Sequence, residues 1–572
     1  MAEVEASSSA GSLLASFGFS DSMVDDAPPP PPPASLTAVT QYLSTIEDYG
    51  AWKSKDLKAL RQQVGRLSAF IDRDKFQGMS EQDYSKMVYE RKSEKVLRQK
   101  QKAANLKHIE TTKLRSGRIQ ALNNLISNAD DGSNQLQYLV PDGVGSSDRP
   151  GSVPLLTSPS SSPPVNLTKP RSCYTCKARF TTLHHFYDQL CPPCASLNYS
   201  KRFQTVDMSG KVCIVTGGRV KIGYRCVLKL LRSNATVIVT TRFPKSAENN
   251  YKSDPDYPKW ISSNRLHIFG LDLRDLVEVE RFCSFVISEF KKVDVLVNNA
   301  CQTVRRGAKY YENKVEEEME STPGEGVKLF QVFEDKREKL EGSNVATIES
   351  ESDGFDVTGS LSRADDVKNC NVSRSAKMSL LPLTPSDTTR DEMPTGLTDV
   401  NGQQLDLSKT NSWLLKLGEV QTPEIVECMF INVVSPFILN GRLLPYMGRN
   451  SFIINVSAME GKFYRFKTEN HPHTNMAKAA LNMMTRTSAQ SLSERGIFMN
   501  SVDTGWINDE NPREKAAKTR ENNNFQTPID EIDAAARILD TVMVGVKEGW
   551  GVKEGVEGIQ GKFLKDYVES EW

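Results

Sequence analysis

The chain lacks net charge, long apolar runs and a cysteine framework. Its 72 basic residues are matched by 72 acidic ones, so no global field pulls it toward nucleic acid or a membrane. No apolar run approaches the ~18 residues of a membrane span, and no membrane partner is expected. The opening Met-Ala-Glu-Val-Glu has neither the basic flank nor the apolar core of a secretory signal. Glu3, Glu5, Asp21, Asp25 and Asp26 argue against an organelle transit peptide. Of 10 cysteines, four are paired by spacing and the rest are scattered. That fits a reducing compartment: the cytoplasm, with the nucleus as the alternative.

What the chain does have is length and proline. At 572 residues it exceeds one ordinary domain, and roughly three or four units are expected. Low hydropathy and 28 prolines indicate sizeable unstructured stretches. Residues 1–34, Ser- and Ala-rich and ending in Pro28 to Pro33, are expected to be disordered with a polyproline II tip. Residues 35–130 read as helical, with Leu57, Leu60, Val64, Leu67 and Ile71 forming one apolar stripe. Within the basic stretch 86–118 lie Arg91, Lys92, Lys95, Arg98, Lys100 and Lys102. It reads as a solvated helix face or as a surface for an acidic partner. Without interleaved aromatics to stack on bases, nucleic acid is not expected. Residues 131–170, rich in Ser, Pro and Gly, are expected to be a linker.

Residues 171–202 hold Cys173-x-x-Cys176 and Cys191-x-x-Cys194. Two such hooks supply four thiolates to one tetrahedral zinc, which leaves no open position for catalysis. Lys177 and Arg179 would offset the excess negative charge. The plainer alternative is four reduced cysteines in a small helical knob. A segment this short buries little core, so metal would supply its folding energy.

From residue 203 the pattern becomes α/β. Lys211 to Thr216 is an apolar strand followed by Thr216-Gly217-Gly218-Arg219-Val220-Lys221-Ile222-Gly223 and a helix with Cys226, Val227, Leu228, Leu230 and Leu231. Strand, Gly-rich turn and helix N-terminus make a pyrophosphate cradle. A second strand, Ala235 to Thr240, ends at Thr241-Arg242. An acidic residue near that point favours NAD; Arg242 with Arg219 suits a 2′-phosphate, so NADP is expected over NAD. Further on come Leu271-Asp272-Leu273, Asn298-Asn299-Ala300, Asn432, Ser457 at a strand end, Thr474 four residues before Lys478, and Asn500 to Gly505. Gly561-Lys-Phe-Leu564 reads as the last edge strand.

In this order the motifs resemble the short-chain dehydrogenase/reductase family of NAD(P)(H)-dependent enzymes. The resemblance implies a doubly wound parallel α/β sheet (Rossmann), here preceded by the four-cysteine zinc module and the helical N-terminal region. It assigns cofactor binding to Thr216, Gly217, Arg219, Lys221, Ile222, Gly223, Arg242, Asp272, Leu273, Asn299, Ala300 and Lys478. It assigns catalysis to Asn432, Ser457, Lys478 and the position of Thr474, with a small carbonyl or alcohol as substrate. Homo-oligomers are a further implication. Three positions depart from the family's pattern. Lys221 replaces the middle glycine, at a cost in room beside the phosphates. Cys301 replaces a glycine after Ala300. Thr474 stands where the family has its proton-donating tyrosine. An alkyl hydroxyl is a far weaker acid than a phenol, and general acid help contributes roughly 10²–10⁴-fold. Tyr464, His471 and His473 lie near enough in sequence to substitute. Two functions therefore remain: an NADP(H)-dependent oxidoreductase with an altered acid, or an inactive NADP(H)-sensing scaffold. An insertion over 303–412, with the acidic run Glu316-Glu317-Glu318, is expected to be mostly a mobile loop on the ligand side of the sheet. In the scaffold reading, the insertion and the helical N-terminus recruit protein partners.

Overall fold

The computed structural model describes residues 79–120, 166–320, 373–388, 403–464, 466–508 and 526–572, with isolated positions elsewhere. The expected disorder at 1–34, the stripe residues Leu57, Leu60, Leu67 and Ile71, and residues 131–165 of the expected linker lie outside the described residues. So do residues 327–372 of the insertion.

The chain divides into two compact units, Met1–Lys100 and Gln101–Trp572. Helix α1 (Glu81–Glu110) begins in the first. Ser80 caps it, its hydroxyl accepting the Asp83 N–H at 3.1 Å, and none of its residues is buried. The basic residues of this helix, from Arg91 to Lys107, form a solvated face, whereas Arg115 beyond it is buried and pairs with Asp188.

In the second unit, an antiparallel hairpin of β1 (Asn166–Ser172) and β2 (Arg179–Thr182) precedes helix α2 (Pro192–Arg202). Residues 166–170 are therefore strand and not linker, because Asn166 pairs with Thr182. The preceding segment docks here as well: Lys113 and Leu114 donate their backbone N–H groups to His185 and Phe186.

The core is an eight-stranded sheet. Its strands are β3 (Val212–Thr216), β4 (Thr236–Thr241), β5 (Leu266–Gly270), β6 (Val295–Asn298), β7 (Ser451–Ser457), β8 (Ile497–Asp503), β9 (Phe563–Lys565) and β10 (Val568–Ser570). The order β5-β4-β3-β6-β7-β8-β9-β10 is parallel except for β10. The expected edge strand at Phe563 is thus one strand in from the edge, and β10 covers it. Every residue of β3, β6, β7 and β8 is buried, as their apolar runs require of strands covered on both faces. Helices α3 (Lys221–Arg232) and α10 (Glu531–Glu548) cover one face. Helices α5 (Leu276–Phe290), α8 (Ser435–Leu443) and α9 (Pro472–Glu494) cover the other. Helix α4 (Pro244–Lys252) follows β4.

Two stretches fold differently from what their composition suggests. Thr422–Tyr446 is long and apolar enough to cross a membrane, with a mean hydropathy of 1.4. Asn432, Ser435 and Asn440 interrupt the run, so it does not read as continuous. Here it folds as α7 (Thr422–Met429), a π-turn (Phe430–Val434) and α8, with Asn432, Ser435, Leu439 and Leu443 buried. The second concerns the insertion. Its acidic run lies in helix α6 (Ala308–Glu320), and Glu318 is completely buried.

Candidate functional site

The strand order reverses between β3 and β6, whose neighbours run outward in opposite directions. Such a switch point opens a crevice at the carboxyl ends of the strands. The glycine turn lies there. Gly217 has φ +70, and a Cβ on it would sit 3.0 Å from the Ala300 Cα. A Cβ on Gly223 would lie 2.2 Å from the Gly217 carbonyl oxygen. Both positions require glycine. The Asn299 amide donates to the Thr216 carbonyl at 2.9 Å, while the Thr216 hydroxyl accepts the N–H groups of Asn299 and Ala300 at 3.0 and 2.9 Å. These three residues brace the turn against β6. Lys221 adopts φ 54 at the start of α3, the left-handed region that costs a side-chain-bearing residue about 1 kcal/mol. The backbone therefore keeps the course a glycine would give it, and the expected loss of room at Lys221 falls on the side chain alone. Ile222 follows in the first turn of α3, half-buried against the core.

Arg219 and Arg242 converge. Their guanidinium carbons lie 5.5 and 5.6 Å from the centre of the Phe243 ring, within cation–π range. Tyr311 of α6 also lies against Arg242, at 4.3 Å. Asp272, which the resemblance assigns to cofactor binding, already holds Arg274: its carboxylate receives the Arg274 Nε at 3.0 Å and Nη2 at 2.7 Å. Burial pushes the Asp272 carboxyl up, but Arg274 outweighs it and keeps it below the usual range. Arg274 reaches on to Glu427 and to the Met378 carbonyl. Leu273 offers its carbonyl to Ser435. Residues 373–388 of the insertion thus border this end of the cleft, and Arg374 pairs with Asp275.

At the other end, α9 presents His473, Thr474, Lys478 and Asn482 on one buried face. Lys478 Nζ donates to the Val456 carbonyl at 2.9 Å. Ser457 Oγ donates to Asn482 Oδ1 at 2.6 Å. Sequence reasoning does not find Asn482; its place one turn beyond Lys478 is the signal that could have found it. The side chain of Asn432 exchanges hydrogen bonds with the backbone of Gln302, both at 2.9 Å. Thr474 Oγ1 lies 3.4 Å from the Thr303 carbonyl and 3.3 Å from His473 Nε2.

The three substitute donors separate. His471 stacks on Trp413 at 3.9 Å and meets its carbonyl at 2.9 Å. Tyr464 is exposed and its hydroxyl lies 3.4 Å from Lys462 Nζ. His473 is buried against Thr474, its Nδ1 has no hydrogen-bond partner, and burial lowers its pKa. Cys301 is exposed and Cys428 buried.

The four cysteines of the knob come together. All four sulfurs lie within 4.8 Å of one another, and Cys176 and Cys191 are 3.5 Å apart. Zinc–sulfur bonds of ≈ 2.3 Å in a tetrahedron place sulfurs about 3.8 Å apart, so the cluster fits that ion. Lys177, at φ 64, turns the first hook, and Cys191 precedes α2 with Pro192 and Pro193 in its first turn. His184 and His185 pack against Tyr199 and stand apart from the cluster. The module is anchored by charge. Arg202 reaches Asp530 at 2.7 Å and Asp533 at 3.0 Å, and the Tyr187 hydroxyl donates to Asp533 at 2.5 Å.

Residues 211–323 match the short chain dehydrogenase family, and residues 414–543 match the family described as enoyl-(acyl carrier protein) reductase. An uncharacterized protein of Acanthamoeba polyphaga mimivirus is 29% identical over 390 residues, 66% of this chain and 72% of that protein. The short chain dehydrogenase/reductase dpchH of Colletotrichum higginsianum is 34% identical over 101 residues, 17% of this chain and 24% of its own length. A short chain dehydrogenase from Burkholderia cenocepacia, solved in complex with NADP, gives a TM-score of 0.37 at 17% identity, covering 63% of this chain and 96% of that chain. Over these two segments the α/β domain is thus similar to the short-chain dehydrogenase/reductase family.

Proposed function

We propose that this chain is an NADP(H)-binding oxidoreductase of the short-chain dehydrogenase/reductase type, acting on a small carbonyl or alcohol with an altered proton donor. The observation that carries the reading is the pair Arg219 and Arg242 meeting on Phe243 beside the glycine turn. Two guanidiniums at the end of β4 suit a 2′-phosphate better than a bare ribose. The turn at Gly217 to Gly223 and the N-terminus of α3 would hold the pyrophosphate. When bound, the nicotinamide supplies or accepts hydride; this chain's residues orient the substrate and move the proton. His473 is the best-placed donor of the three, because it alone adjoins Thr474. As a neutral imidazole it carries one N–H.

A second reading has its own observation. Ser457 gives its proton to Asn482, and the Thr474 hydroxyl faces a backbone carbonyl. That arrangement suits an NADP(H)-binding scaffold that recruits protein partners. Turnover of a panel of small ketones, aldehydes and alcohols with NADP(H) decides between them. The enzyme reading expects wild-type activity that His473→Ala removes. Activity appearing only in Thr474→Tyr favours the scaffold.

The four-cysteine cluster is proposed to hold one structural zinc, supported by its sulfur spacing.

A further inference from the structure

We infer that the N-terminus of α4 is an anion site for the 2′-phosphate of NADP and that Glu318, from the insertion, occupies it until the nucleotide displaces it. This rests on the NADP reading above and adds to it a competitor carried by the chain itself.

A helix leaves its first N–H groups without intrahelical partners, and they favour an anion. In α4 the helix begins Pro244-Lys245-Ser246 after Phe243. Pro244 has no N–H, and the Phe243 N–H donates to Thr241 Oγ1. The remaining donors are those of Lys245 and Ser246, and both go to the Glu318 carboxylate, at 3.2 and 2.6 Å. Lys245 Nζ donates to the Glu318 carbonyl at 2.7 Å. The Ser246 hydroxyl, in the same turn, is 1% exposed and has no hydrogen-bond partner. The carboxylate leaves that donor unmet. A phosphate monoester, with more charge and three acceptor oxygens, has an acceptor for it as well.

One face of α6 makes this arrangement. Tyr311, Val315 and Glu318 are spaced by four and three residues and so lie above one another. Tyr311 covers Arg242, and Val315 packs with Phe243 and Ala376. Just beyond the helix, Gly324 and Gly326 donate their N–H groups to Glu248 of α4, each at 2.7 Å. The described parts of the insertion thus sit on the adenosine end of the cleft, and the acidic side chain falls on the amides of α4.

Calorimetry with adenosine 2′,5′-bisphosphate and with adenosine 5′-monophosphate tests this. Replacing Glu318 by Gln removes the competing charge while keeping its shape. The expected result is roughly tenfold tighter binding of the bisphosphate by Glu318→Gln, with the monophosphate unchanged. In the wild-type chain, saturating bisphosphate should speed amide exchange in residues 308–320 and the monophosphate should not; this measurement needs no variant. Equal bisphosphate affinity in both proteins, or slower exchange in α6 on binding, overturns the role of Glu318 while leaving the NADP reading in place. No bisphosphate binding by either protein overturns both.

Discussion

The phenol oxygen of Tyr174 accepts the backbone N–H of Trp506 at 2.8 Å. Tyr174 follows Cys173 directly, and Trp506 lies in the loop that leaves β8 beside the cleft. A Cβ on Gly505 would sit 3.4 Å from the same phenol. The cysteine module is therefore a direct support of a loop at the ligand-bearing edge of the sheet. Tyr174→Phe removes the acceptor and should cost about 1 kcal/mol. Amide exchange at residues 505–507 should quicken, with metal content unchanged. Unaltered exchange would show that the loop holds itself.

Metal removal should act more widely. With zinc in the cluster, its binding energy is folding energy for residues 166–202. A strong chelator, or Cys173→Ser, should lower the thermal midpoint and release the Tyr174 contact as well. Elemental analysis should find one zinc per intact chain; well under one would contradict the zinc assignment.

Arg202 is 7% exposed and bridges two carboxylates, Asp530 and Asp533. Asp530 also caps α10, accepting the N–H groups of Ile532 and Asp533. Arg202→Ala leaves Asp533 fully buried and Asp530 half-buried without their shared cation, and breaking a buried pair typically costs roughly 3–5 kcal/mol. Urea unfolding measures it, and a cost under ~1 kcal/mol, the range of a surface ion pair, would mean that water replaces the guanidinium.

The insertion should respond to acid. Arg305 grips Asp387 through two bonds, at 2.6 and 2.7 Å. Burial pushes the Asp387 carboxyl up, but Arg305 and the amides of Leu383 and Thr384 outweigh it and hold it down from 3.8 to about 2. A depressed carboxyl stabilises the fold fully above its unfolded value and loses that contribution as pH falls through its folded value. The wild-type advantage over Asp387→Asn should thus hold above pH 3.8 and fade toward pH 2. An advantage that persists unchanged at the acid end would contradict the pairing.

The sheet is legible in the sequence because β3, β4, β6 and β7 are apolar on both faces and each follows a turn or helix signal. The cysteine hooks are legible from spacing alone. The insertion is not. Its helix α6 has an acidic, weakly apolar sequence, and it is held by contacts to residues far away in the chain, such as Glu318 to Ser246. Asn482 escapes for a related reason. Its partner Ser457 is distant in sequence, so no local pattern marks the pair. Residue type alone marks Lys221 as an obstacle. Its positive φ shows that a lysine can follow a glycine's backbone course where the surroundings hold it.

The proposed binding of NADP(H) rests on Arg219 and Arg242. Titrating the full chain with NADPH and NADH by calorimetry tests it most directly, alongside Arg242→Ala. NADPH should bind more tightly, a preference that Arg242→Ala abolishes while leaving NADH affinity near its starting value. Equal affinity for the two nucleotides in the wild-type chain, or binding of neither, would contradict it.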